Sequence, residues 1–205
     1  MGYWNRWLEY FRPPPPIATV DALTTFLQER ALFLAQKCAI DYCRGKTGLA
    51  SYALFSEKPF LEALDVCRRE SFEAVLGDLV ILTEGILRPH APAEQHPALC
   101  KALLDLHSAA LASLPAPAHR PQGWGDAAAS FAARLRAAAA QPPRGAVAVA
   151  DYSARRLFDT LPIHASMREL DEEVVFGAVR FRMIAVNQEL RRRAAAEELV
   201  RALTA

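Results

Sequence analysis

Three long windows of this chain place an apolar side chain every three or four residues, and that spacing limits the possible folds more than any other feature. From Thr19 to about Arg44 the stripe is Val20, Leu23, Leu27, Ala31, Leu34 and Cys38. A second window runs from about 59 to 88, and a third from 167 to 192, where Val174, Val175, Ala178, Val179, Ala185 and Val186 form an apolar sector. Recurrence at three and four is the signature of one face of an α-helix. Strand-like alternation is almost absent. The expected fold is therefore all-α: a helical bundle built on three long helices (about 19–44, 59–88 and 167–192), completed by shorter accessory helices.

Local signals set the expected ends. Thr19 caps the first helix, and the glycines of "GKTG" (45–48) stop it, glycine being the residue that turns left-handed most cheaply. Ser56 is the expected cap of the second helix, with Pro59 tolerated in its first turn and Pro89 beyond its end. "LASYALF" reads as a connector. "SMRE" is a capping box, Ser166 with Glu169, placed to open the last long helix. Between them, residues 89–145 hold most of the prolines and alanines. This middle stretch carries a short helix from about 97 to 114 and an alanine-rich one whose only large apolar residues are Phe131 and Leu135. Residues 17–205 read as one all-α domain.

Residues 1–16 differ in kind. "YWNRWLEYFRPPPP" packs two tryptophans, two tyrosines and a phenylalanine into residues 3–11, then stops at Pro13–Pro16. Wound as a helix over 2–12, Trp4, Trp7, Leu8 and Phe11 share one face, while Asn5, Arg6, Glu9 and Arg12 take the rest. The prolines stop this amphipathic helix and hold it about 12 Å from the body, at ~3.1 Å per residue. Large aromatics bury on the order of 150–250 Å² each. Half-burial of three or four of them at ~25 cal/mol per Å² is worth about 5–10 kcal/mol before ordering costs. Such a helix is marginal alone and calls for a surface. The candidate surfaces are the protein's own bundle, a groove on a partner protein, and a bilayer interface.

Charges at apolar positions point to a second feature. On the second helix Glu62, Asp65, Arg69, Glu70, Glu73 and Glu84 gather on one polar side, but Asp78 falls among Val75, Leu79 and Leu82. Arg182 projects from the apolar sector of the last helix, and Asp41 lies close to the stripe of the first. A buried charge seeks an opposite one, so Arg182 is expected to pair with Asp78, with Asp41 as the second choice. The three form a candidate buried polar cluster, or, with Tyr42, the wall of a ligand pocket.

Other chemistry finds little support. The sequence has 24 basic and 23 acidic side chains, a net charge of +1, without the cationic excess of a general nucleic-acid binder. Cys38 and Cys43 stand on different helix faces, and neither C-x-x-C nor H-E-x-x-H occurs, so no metal is expected. His90, His96, His107, His119 and His164 read as loop and surface residues. "GKTG" lacks the spacing of a phosphate-binding loop. No cofactor is expected. "DEE" (171–173) suits the start of a helix and "RRR" (191–193) the end of one. Cys38, Cys43, Cys67 and Cys100 sit in apolar segments without an export signal before them, which points to free thiols in a reducing cytoplasm. No window has the ~18 uninterrupted apolar residues of a spanning helix. The expected function is a non-catalytic interaction or complex-assembly protein, anchored to a protein partner through Trp4, Trp7, Leu8 and Phe11. The rivals are a small-molecule binder or enzyme, and a peripheral membrane protein at the inner face of the membrane.

Overall fold

The computed structural model describes residues 14–205. The aromatic anchor residues Trp4, Trp7, Leu8 and Phe11 lie outside the described residues. Helix α1 spans Val20–Thr47. It begins where the Thr19 hydroxyl accepts a bond from the Ala22 amide at 3.2 Å and ends at Gly48, whose φ of 51° supplies the left-handed turn. Leu23, Leu27, Ala31, Leu34 and Cys38 are buried, as their spacing requires. The connector is itself partly helical, a 3-10 turn over Gly48–Ala50 followed by α2, Ser51–Leu54.

Helix α3 spans Lys58–Leu87 with Pro59 in its first turn. Ser56 does not cap it: its hydroxyl donates to the Ala53 carbonyl at 2.6 Å, serving the preceding turn. After Pro89 the chain continues through α4 (His96–Ala112), α5 (Gly125–Ala139), α6 (Ala146–Val149), α7 (Asp151–Thr160) and α8 (Ala165–Arg168). It closes with α9 (Glu172–Arg193) and α10 (Ala196–Thr204). The described residues are an all-α bundle. Their one backbone pairing of strand type is a single parallel bridge between Ile17 and Ala194.

The last long helix starts later than the capping box predicts. His164 and Ser166 close only the isolated turn α8, the Ser166 amide donating to the His164 ring. The helix restarts at Glu172 with Asp171 at its N-cap position, but the Asp171 carboxylate is bonded by Lys46 and Tyr42 of α1 and does not cap the helix.

Helix α3 is the hub, packed against α1, α4, α5, α7, α9 and α10. Every residue from Glu70 to Val80 is buried. A helix enclosed on all sides must bury its polar side too, so Glu70, Glu73, Asp78 and Glu84 are interior residues. That corrects the reading of a one-sided helix. The alanine-rich α5 docks firmly through Phe131 and Leu135, both buried. Gly77 makes room for it, since a Cβ there would stand 2.9 Å from the Phe131 ring.

Candidate functional site

Helices α1 and α9 run antiparallel, and three ionic links mark their seam. At one end Glu189 accepts from Arg30 and Arg193, both at 2.7 Å. In the middle Asp41 accepts from Arg182 at 2.9 Å and from Lys37 at 2.9 Å. At the other end Asp171 accepts from Lys46 at 2.6 Å and from the Tyr42 hydroxyl at 2.8 Å. Arg182 thus pairs with Asp41 and not with Asp78. Both partners keep substantial solvent contact, so the pair fixes helix register at the surface and is not a core feature.

Between the second and third links lies a cavity of about 350 Å³. Cys38 of α1, Leu157 of α7, and Val175 and Ala178 of α9 give it an apolar floor. Asp41, Arg182, Tyr42, Lys46 and Asp171 ring it. Val174, 64% exposed, stands at its mouth, and Leu170, 93% exposed, adjoins the Asp171 bridge. Of the residues expected to line a pocket, Arg182, Asp41 and Tyr42 meet here. Asp78 does not. Nothing in the one-dimensional pattern singles out Lys46, Asp171 or Leu157 for this site, because its residues come from segments more than a hundred positions apart.

The electrostatics of the cavity are those of a neutral surface. Burial pushes the Cys38 thiol up to about 11, against the pull of Arg182, so it stays protonated at neutral pH. Burial and the bond to Asp171 raise the Tyr42 hydroxyl as well. The bonds from Lys46 and Tyr42 hold Asp171 below the usual carboxylate range. The cations bordering the floor each face a carboxylate. The site offers an apolar floor between two hydrogen-bonding ends.

Asp78 belongs to a different cluster, on the side of α3 covered by α5 and α7. It is fully buried and accepts from Arg134 and from the Ser153 amide, the latter at 3.1 Å. Burial pushes its carboxyl up to about 6 against those bonds, which leaves it ionised at neutral pH. Glu70 receives His119, Arg120 and Arg156. Burial opposes its ionisation, but those three donors prevail and hold it at about 2. Glu73 sits beside them, 4% exposed, and burial lifts it to about 7. His107 is no surface residue. It is fully buried, stacked on Phe131 with ring centroids 3.8 Å apart, and burial lowers it to about 4, with Arg134 adding to the effect. Both of its ring nitrogens are buried without a hydrogen-bond partner among the described residues. This network ties the middle segments 119–120, 134 and 156 to the hub. One sign of it was legible: Gly77, a gap among the carboxylates of α3 where another helix can approach.

Among the described residues, no group of three or more His, Cys, Asp or Glu could hold a metal ion, and no helix is long and apolar enough to cross a membrane. Cys38, Cys43, Cys67 and Cys100 are free thiols, the first three buried. No family model, curated protein or solved structure matches the chain, so the functional reading rests on the geometry above.

Proposed function

We propose that the protein is a non-catalytic interaction protein whose α1/α9 cavity seats an apolar side chain from a partner protein segment. The observation that carries this reading is the apolar cavity floor with the Val174 side chain left exposed at its mouth. Solvent-exposed apolar groups around a recess are the usual mark of a docking site, and a few anchors in such recesses supply most of the binding energy. The groups at the floor and rim argue for binding over catalysis. The thiol and the phenol are held in their neutral forms, and the neighbouring cations are already paired. An amphipathic helix suits the recess, its apolar anchor on the floor and its polar flanks against Asp41, Arg182, Lys46 and Asp171.

Filling the recess tests the reading. Ala178→Trp places an indole over the floor without disturbing the buried arc Val175, Val179 and Met183. A photo-crosslinking residue at Val174 should join wild-type protein to a partner in native extract, and Ala178→Trp should abolish the product while leaving the helical signal and melting temperature unchanged. Equal crosslinking by both proteins would reject the recess as the docking site. The small-molecule rival draws on Arg182 and Lys46 bracketing an apolar floor, as an amphipathic anion would require. A compound retained through purification and visible in a native mass spectrum would favour it.

A further inference from the structure

We propose that Glu73 is a proton-operated latch for the segment 113–124, which stays closed on α3 while Glu73 is protonated and opens when Glu73 ionises. The segment joins α4 to α5, and its polar attachments converge one helical turn from Glu73. Glu70 accepts from the His119 ring at 2.8 Å and from Arg120 at 3.0 Å. Arg120 also donates to Asp126 at 2.7 Å and lies over the Trp124 ring. Arg69 of α3 adds a bond of 3.5 Å to the Pro115 carbonyl. The one fully buried residue of the segment is Pro117.

The charges around Glu73 balance without it. Arg156 of α7 pairs with Glu70, Arg134 of α5 with Asp78, and Arg120 of the segment spans Glu70 and Asp126. Among the described residues that is three guanidinium groups for three carboxylates. Glu73 lies among them, 4% exposed, and its carboxylate accepts no hydrogen bond from any described residue. From α4 the titratable neighbour of this cluster is His107, which burial keeps neutral. A carboxylate enclosed with no donor and no cation of its own favours its protonated form. Burial accordingly lifts Glu73 to about 7, with Arg134 and Arg156 opposing and Glu70 and Asp78 adding to the rise.

Ionisation adds a negative charge that the enclosure does not neutralise, and the cover yields where it is held least. Helix α5 is anchored by Phe131 and Leu135, and α7 by Ala154 and Leu157, all buried. The segment has Pro117 and its bonds to Glu70. Glu70 and Glu73 stand three residues apart on one side of α3, so withdrawal of the segment from Glu70 admits water to Glu73. The proton binds the closed form more tightly than the open one, whose carboxyl returns to the ordinary 4.5. Opening therefore grows about tenfold per pH unit above 4.5 and levels off beyond about 7. The latch is independent of what the α1/α9 cavity binds.

Hydrogen exchange of the full-length protein, read by mass spectrometry from about pH 5 to 9 and corrected for the intrinsic rate at each pH, tests the latch. Protection of residues 113–124 should fall by roughly a hundredfold as pH rises to about 7–8 and then level off. At every pH it should stay well below the protection of residues 23–38 of α1, because the opening is local. Glu73→Gln should hold the segment's protection constant with pH, and Glu73→Leu should repeat that result. His119→Gln should keep the wild-type fall. Protection that is flat with pH in the wild-type segment would overturn the proposal. So would a segment protected as strongly as α1, since it would open only with the whole fold. A fall that survives Glu73→Gln, or that disappears with His119→Gln, would also overturn it by moving the proton to another group.

Discussion

Glu73 and Asp41 show how little a residue's place on its own helix says about its energetics. Asp41 lies near an apolar stripe yet remains in water, so its bond with Arg182 is a surface pair. Such pairs are worth ~0–1 kcal/mol, and Arg182→Leu should shift the melting temperature little. Glu73 shares a helix side with solvated Glu62 yet is enclosed, with Arg134, Arg156, Glu70 and Asp78 as its charged surroundings. Its folded pKa of about 7 lies above the ordinary value of 4.5, so the fold prefers the protonated form. The stability from that group is full below pH 4.5 and is lost as pH rises through 7. Glu73→Gln should therefore gain stability over wild type at pH 8 to 9, by up to about 3 kcal/mol from ~1.4 kcal/mol per pH unit. The gain should vanish near pH 4.5. Urea titrations across that range check it. Asp78 calls for a different substitution test, because removing it leaves the largely enclosed Arg134 without its partner. Asp78→Ala should cost about 3–5 kcal/mol, measured by the same titrations.

At the scale of elements, α5 is the informative case. An alanine-rich helix with two large apolar residues is a weak amphipath, yet it docks on the hub because α3 carries a glycine where Phe131 arrives. The Phe131 ring is stacked on His107 and buried, so it has nowhere to retreat. Gly77→Val should overpack this contact and cost about 1–3 kcal/mol, read as a lower melting temperature. The Phe131 ring also stacks on His107 of α4, which bears on acid stability. His107 is held neutral at about 4 against an ordinary 6.5, so its contribution is intact above pH 6.5 and lost as pH falls through 4. His107→Leu should shift the acid-unfolding midpoint to lower pH. Helix α9 teaches a complementary lesson. Its expected apolar sector contained Val174 and Ala185, which are exposed, whereas Phe176, Met183 and Leu190 are buried with Val175, Val179 and Val186. The true buried arc is rotated, and Arg182 lies at its edge.

The whole molecule is arranged around α3, with the α1/α9 seam on one side and the arginine-capped carboxylates on the other. The first side carries the exposed apolar surface and the cavity. The second carries charges that neutralise one another inside the fold. The fold class and the three long helices were determined by sequence alone, because 3.6-residue periodicity, Thr19, Gly48 and Pro59 act within a few residues of where they stand. The glycine stop of α1 was legible for the same reason. Which charge meets which was decided only by tertiary structure. Asp78 lost Arg182 to Asp41 because α5 and α7, not α9, cover that side of α3. Asp171 gave up its helix cap to Lys46 and Tyr42 because α1 ends beside it. Electrostatic partners are chosen by distances of a few ångströms between segments far apart in the chain, and a one-dimensional pattern contains no such distances.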